Sequence, residues 1–115
     1  MQKKYSSSVQ VFYPRFDREE VIELIKERID GLKKELPISL VVLFGSYAKG
    51  NYTMASDIDL LVVHEGGERE DAYAKIKKVI GIYGIEPHVY GASEALDMED
   101  VIKRMIKGGI ILFSK

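Results

Sequence analysis

Two short stretches of this chain carry residue types that can handle phosphate and divalent metal. Gly45 and Ser46 leave an apolar run, and Asp57 and Asp59 open a second apolar run after ten intervening residues. Glycine lets the backbone approach a ligand closely, and a serine hydroxyl with nearby N–H groups can bind phosphate oxygens. Carboxylate oxygens are ligands that Mg²⁺ prefers. Together the two stretches predict metal-dependent chemistry on a nucleoside triphosphate.

The Asp pair has the spacing of two side chains on one face of a strand. The Cα atoms of Asp57 and Asp59 would lie roughly 6–7 Å apart, so converging carboxylates could bridge two Mg²⁺ ions about 3.5–4 Å apart. Acids at the mouth of an apolar strand are costly to desolvate without a cation. An isolated Asp-x-Asp more often stands in solvent at a strand end, and the upstream Gly45–Ser46 step is what favours a metal site.

The residues between these stretches form a Gly-rich connection that we expect to bind nucleotide. Lys49 adds a positive charge three residues after Ser46, which predicts a nucleotide-binding set of Gly45, Ser46 and Lys49. Tyr47 and Tyr52 lie in the same connection and could contact a base or an acceptor, although packing against the sheet is the more ordinary role for at least one of them.

The apolar pattern predicts the elements that must position these residues. We expect a helix over 17–36, strands over 38–44 and 57–63, a helix over 72–83, a strand over 85–90, a helix after 97 and a strand over 110–113. Asp17 and Glu20 have capping-box spacing, and the nearly continuous apolar run over 38–44 is typical of a central strand covered on both faces. The order predicts an α+β fold, a small mixed β-sheet packed against helices.

Length and composition limit the remaining classes. The 115 residues predict a single domain, 1–115, in which 1–13 could be an edge strand or an arm that pairs with a partner. The net charge of −1 makes nucleic-acid binding by the chain alone unexpected, and the absence of cysteine excludes thiol catalysis. With no apolar stretch of ~18 residues and no signal core, we expect a cytoplasmic protein without membrane association.

The stretch from Gly45 to Gly50, followed by Asp57 to Val62, resembles the signature of the minimal nucleotidyltransferase (MNT) family, within the DNA polymerase β-like nucleotidyltransferase superfamily. The resemblance implies a nucleotidyltransferase core that transfers a nucleoside monophosphate, AMP from ATP, to an acceptor hydroxyl. It also implies two Mg²⁺ ions, with Mn²⁺ as an alternative, held by Asp57 and Asp59. Several members of the family are antitoxins that pair with a helical HEPN-type toxin, and some adenylylate that partner.

The superfamily usually supplies a third acid from a later strand, and here the strand over 85–90 offers Glu86 and His88 instead of Asp. The two share one face by alternation, and Pro87 between them suggests an edge strand or a bulge. Glu86 is the preferred catalytic and metal-binding residue because a carboxylate is an oxygen ligand, whereas histidine is a poorer ligand for Mg²⁺. An equally weighted alternative is that Glu86 and His88 are both ordinary polar residues on an edge strand, with no role in metal binding. His64, next to the Asp-bearing strand, is expected to be a loop residue rather than a base.

Two functional hypotheses follow. The first is a Mg²⁺-dependent nucleotidyltransferase with Asp57, Asp59 and Glu86 as catalytic residues. The second is a weakly catalytic or non-catalytic antitoxin that neutralises a partner by forming a complex. The two are compatible, and the sequence leaves the nucleotide preference, the acceptor and the oligomeric state open.

Overall fold

The computed structural model describes residues 16–115, and the predicted arm over 1–13 lies outside the described residues. In chain order the elements are α1 (Arg18–Glu35), β1 (Ile38–Phe44), α2 (Ser46–Lys49), β2 (Ile58–His64), α3 (Ala72–Ile80), β3 (Ile85–Gly91), α4 (Ala92–Asp97), α5 (Glu99–Ile106) and β4 (Ile110–Ser114). Over these residues no helix has the length and apolar character needed to cross a bilayer.

The four strands form one sheet in the order β3-β2-β1-β4. Strand β1 runs antiparallel to β2 and β4, and β2 runs parallel to β3, so the predicted small mixed sheet is confirmed. Val41 and Leu43 of β1 face the main core with α1 and α3, whereas Val42 packs with Ile102 of α5 on the other face. The continuous apolar run of β1 therefore marks a central strand buried on both faces, as predicted.

Helix α1 begins at the predicted capping box. The Asp17 side chain accepts a hydrogen bond from the Glu20 N–H at 2.8 Å, and the Asp17 N–H donates to the Glu20 carboxylate at 3.0 Å. The apolar stripe of the helix is buried against the sheet at Val21, Ile25, Ile29 and Leu32. The helix ends directly before Leu36, as the following Pro37 requires.

Two predicted boundaries were wrong, and one helix was missed. Strand β2 begins at Ile58, so Asp57 is an exposed residue just before the strand. Helix α3 ends at Ile80 rather than at 83, because Gly81 takes the left-handed C-cap conformation and its N–H donates to the Lys77 carbonyl at 2.9 Å. The segment after β3 holds two short helices, and α4 was missed because it buries no side chain and so has no apolar stripe.

The expectation that His64 is a loop residue was wrong, because His64 is the buried last residue of β2. Its Nδ1 atom forms a hydrogen bond with the carbonyl of Glu65 at 2.9 Å. Burial lowers the pKa of its imidazole from the ordinary value of 6.5, and the positive charge of Arg69 acts in the same direction, against the carboxylates of Glu94 and Asp71. The folded state therefore holds this imidazole neutral at a pH where the unfolded chain would protonate it.

We expect the free energy of unfolding to decrease as the pH falls through about 6.5, because the unfolded chain then binds more protons at His64 than the folded chain does. The contribution is at most about 1.4 kcal/mol per pH unit. Urea unfolding at several pH values should show a shallower dependence for His64→Asn than for the unchanged protein. A slope for His64→Asn equal to that of the unchanged protein would contradict the assignment.

Candidate active site

The end of β1 and the start of β2 place Gly45 directly against the carboxylate of Asp59. Phe44, the last residue of β1, pairs with Asp59 in the antiparallel register. Gly45 follows with φ 75° and ψ −154°, a conformation that essentially only glycine adopts. A Cβ atom at this position would lie 2.5 Å from the Oδ2 atom of Asp59. Glycine is therefore required here both by the backbone conformation and by the close approach of a carboxylate.

The connection after Gly45 contains the short helix α2, which begins at Ser46 and ends at Lys49. Ser46 is half-buried and Lys49 is exposed. Gly50 ends the helix in the left-handed region at φ 84°, and its N–H donates to the Ser46 carbonyl at 2.9 Å. The predicted nucleotide-binding residues Gly45, Ser46 and Lys49 thus lie on one turn that starts beside Asp59.

Tyr47 and Tyr52 pack within the protein, which is the more ordinary of the two roles that the sequence left open. Tyr47 is buried, its ring stacks on that of Tyr52 with centroids 4.1 Å apart, and its hydroxyl donates to the Phe16 carbonyl at 3.2 Å. The Arg18 N–H donates to the Tyr52 hydroxyl at 3.0 Å, and the Arg18 guanidinium donates to the Ala48 carbonyl at 2.9 Å. These contacts fasten α2 to the beginning of α1.

Strand β3 brings His88, rather than Glu86, into contact with Asp59. Asp59 pairs with Glu86 in the parallel register, and the Nε2 atom of His88, two residues further on, lies 3.2 Å from the Oδ1 atom of Asp59. The His88 ring also meets the Phe44 ring edge-to-face at a centroid distance of 4.9 Å. As Pro87 suggested, β3 is an edge strand in the described sheet.

The hydrogen-bonding partner of Glu86 comes from α3. The hydroxyl of Tyr73, in the first turn of α3, lies 3.3 Å from each carboxylate oxygen of Glu86 and donates to this group. Glu86 also lines a cleft of about 330 Å³ together with Asp57, Ser56 and Lys77. Sequence reasoning did not single out Tyr73, because nothing in its position along the chain shows that it reaches β3.

The carboxylates of Asp57 and Asp59 suit Mg²⁺, although no three His, Cys, Asp or Glu side chains within residues 16–115 are gathered closely enough to hold a metal ion. Mg²⁺ is usually bound by one or two carboxylates, with substrate phosphates and water completing its coordination. Asp57 is exposed, Asp59 is partly exposed, and Asp59 lies against the turn predicted to bind phosphate. The donor set therefore fits an ion that arrives with a triphosphate.

Solved structures share the fold of this chain. A nucleotidyltransferase from Sulfolobus solfataricus gives a TM-score of 0.53 at 23% identity, covering 82% of this chain and 80% of that one. A toxin–antitoxin structure with AMP-PNP gives a TM-score of 0.55 at 20% identity, covering 78% of this chain and 73% of that one. A tri-AMPylated HEPN toxin in complex with an MNT antitoxin, from Shewanella oneidensis, gives a TM-score of 0.53 at 20% identity, covering 82% of this chain and 73% of that one. The architecture is that of the nucleotidyltransferases.

The sequence places the chain within that class. Residues 17–112 match the family model of the nucleotidyltransferase domain, so the chain belongs to this family, as the Gly-Ser and Asp-x-Asp spacing indicated. Two relatives from Methanocaldococcus jannaschii carry the name protein adenylyltransferase. One is 51% identical over 41 residues, 34% of this chain and 41% of that protein. The other is 36% identical over 73 residues, 58% of this chain and 70% of that protein. The first match thus spans less than half of that relative's length.

Proposed function

We propose that this chain, acting as one domain over 1–115, transfers AMP from ATP to a hydroxyl group on a protein in a divalent-metal-dependent reaction. The proposal rests on the position of the Asp59 carboxylate, which lies against Gly45. Gly45 begins the turn that contains Ser46 and Lys49. Membership of the nucleotidyltransferase family and two relatives named as protein adenylyltransferases support this activity over other uses of a triphosphate.

Asp57 and Asp59 would hold Mg²⁺, with Mn²⁺ as an alternative, and Gly45, Ser46 and Lys49 would bind the triphosphate. When bound, the metal neutralises phosphate charge and favours in-line displacement at phosphorus. The chain's own contribution is positioning. Gly45 lets the backbone come close to the ligand, and the hydrogen bond from His88 fixes the direction of the Asp59 carboxylate.

Glu86 would serve the acceptor side of the site. The acceptor oxygen forms a bond to the α-phosphorus, the bond between the α-phosphorus and its bridging oxygen breaks, and pyrophosphate leaves. Glu86 is suited to receive the proton of the acceptor hydroxyl, because its carboxylate already accepts a hydrogen bond from one hydroxyl, that of Tyr73. The metal-binding role expected for Glu86 from sequence stays a prediction beside this one, while His88 is the residue of β3 that contacts Asp59.

We further propose that the acceptor belongs to a HEPN-type helical toxin, with the chain acting as its antitoxin. A structural neighbour is described as a HEPN toxin carrying AMP groups in complex with an MNT antitoxin, which supports this partner class. A second candidate function is neutralisation by complex formation alone. Two structural neighbours described as toxin–antitoxin complexes support a protein contact of this kind.

Calorimetric titration of ATP into the full chain tests the proposed function. We expect binding in the presence of Mg²⁺, and much weaker binding in EDTA, because the carboxylates of Asp57 and Asp59 would repel the triphosphate without a cation between them. AMP is the matched control, since it lacks the β- and γ-phosphates and should bind weakly under both conditions. Equal ATP binding with and without metal, or no ATP binding at all, would contradict the proposal and leave complex formation as the function to test.

A further inference from the structure

Tyr73 presents a phenolic hydroxyl to the candidate active site without contributing to the core. The residues that helix α3 buries are Ala72, Ile76 and Ile80, whereas the Tyr73 side chain is 42% exposed. Its hydroxyl lies 3.3 Å from both oxygens of Glu86, and the Lys77 ammonium lies 5.6 Å from the centroid of its ring. The packing of α3 therefore does not account for a tyrosine at this position.

The surroundings of this hydroxyl are those that an acceptor of a transferred phosphoryl group requires. Glu86 is a carboxylate within hydrogen-bond reach, able to take the phenolic proton. Glu86 and Lys77 line the same cleft as Asp57, which brings an ammonium group close to where a phosphodiester anion would form. The cleft, about 330 Å³ in volume, lies within the size range of small-molecule sites.

We propose that Tyr73 is itself an adenylyl acceptor, so that the chain modifies its own α3 in addition to any partner. The inference rests on the proposed function, because it uses the same ATP and the same Asp57 and Asp59. The phenolic oxygen of Tyr73 forms a bond to the α-phosphorus of ATP, and the bond from that phosphorus to the bridging oxygen breaks. Pyrophosphate leaves, and the phenolic proton passes to the Glu86 carboxylate. No oxidant, reductant or further reactant is needed.

Incubation of the full chain with ATP and Mg²⁺, followed by intact mass spectrometry and peptide mapping, tests this inference. We expect a mass increase of one adenylyl group, located on the peptide that contains Tyr73. Tyr73→Phe, which removes only the hydroxyl, should reduce the adduct to background, and so should Asp57→Asn. Tyr90→Phe, a matched loss of a hydroxyl on β3 away from the cleft, should keep the adduct.

The outcomes separate this inference from the proposed function. Metal-dependent ATP binding without an adduct, or an adduct on another tyrosine such as Tyr83, would overturn Tyr73 as the adenylyl acceptor and leave the proposed function standing. Neither ATP binding nor an adduct would overturn both. An adduct that persists in Tyr73→Phe would likewise show that Tyr73 is not the acceptor.

Discussion

Replacing Asp57 or Asp59 with asparagine should abolish adenylyl transfer and lower the affinity for ATP in the presence of Mg²⁺ by at least about 100-fold. Loss of a residue that merely orients a metal ligand already costs roughly 10–100-fold in metal affinity or activity, and loss of a carboxylate ligand should cost no less. Each substitution removes one negative charge from the oxygen set that would face the cation. Calorimetry with ATP and Mg²⁺, together with transfer of labelled AMP, would measure both effects.

The same two substitutions should leave the fold in place. Asparagine has the shape of aspartate, Asp57 is exposed, and an amide oxygen at position 59 can still accept a hydrogen bond from His88. We therefore expect free energies of unfolding within about 1 kcal/mol of the unchanged protein. Asp30→Asn, an exposed position on α1, is the matched control and should change neither binding nor transfer. Retained transfer in Asp57→Asn or Asp59→Asn would remove these residues from the catalytic assignment.

Gly45→Ala should be the most damaging single-methyl substitution in the candidate site. The backbone at position 45 lies in a region open essentially only to glycine, which costs an alanine about 1–3 kcal/mol. The new Cβ would also lie 2.5 Å from the Asp59 carboxylate oxygen, so the carboxylate or the turn must shift. We expect a loss of at least about 2 kcal/mol in the free energy of unfolding, or roughly 8 °C in melting temperature, together with loss of metal-dependent ATP binding.

Gly108→Ala is the control that separates the cost of backbone strain from the cost of the contact with Asp59. Gly108 also has a positive φ of 79°, but a Cβ atom there would meet no atom within 4 Å. This variant should therefore show the backbone cost alone, with a smaller loss of stability and unchanged ATP affinity. Thermal unfolding and ATP titration of both variants would make the comparison. If Gly45→Ala bound ATP as tightly as Gly108→Ala does, the contact between residue 45 and Asp59 would have no part in nucleotide binding.

The elements that could be predicted from sequence are those with a strong local signal. Helix α1 has a capping box at Asp17 and a regular apolar stripe, and β1 has a continuous apolar run, so both were predicted correctly. Helix α4 has neither signal, and the end of α3 depended on which of two nearby glycines, Gly81 or Gly84, capped the helix, since both have a positive φ. Gly81 is the cap because its N–H donates to the Lys77 carbonyl, a geometric fact that residue type does not reveal.

Some features of the candidate site could likewise be predicted from sequence, and others could not. The Gly-Ser and Asp-x-Asp spacing was enough to predict the family. The structure brings Gly45 and Asp59 together because Gly45 directly follows β1 and Asp59 is the second residue of the neighbouring antiparallel strand β2. The ligand-binding roles of these residues, and of Ser46, Lys49 and Glu86, stay predictions. Tyr73 could not be found from sequence, because its hydroxyl meets Glu86 only through the packing of α3 beside β3.

The class of protein could be predicted from the sequence alone, since the residue types and their spacing lie within about 20 neighbouring positions. The residue of β3 that meets Asp59 could be identified only from the three-dimensional packing. Glu86 and His88 share one face of the strand by alternation, so the choice depends on the register between β2 and β3 and on what else competes for each side chain. Tyr73 hydrogen-bonds Glu86 from α3, while the Phe44 ring packs against His88 beside Asp59. Both contacts join residues far apart in the chain, which is why local sequence could not rank the two.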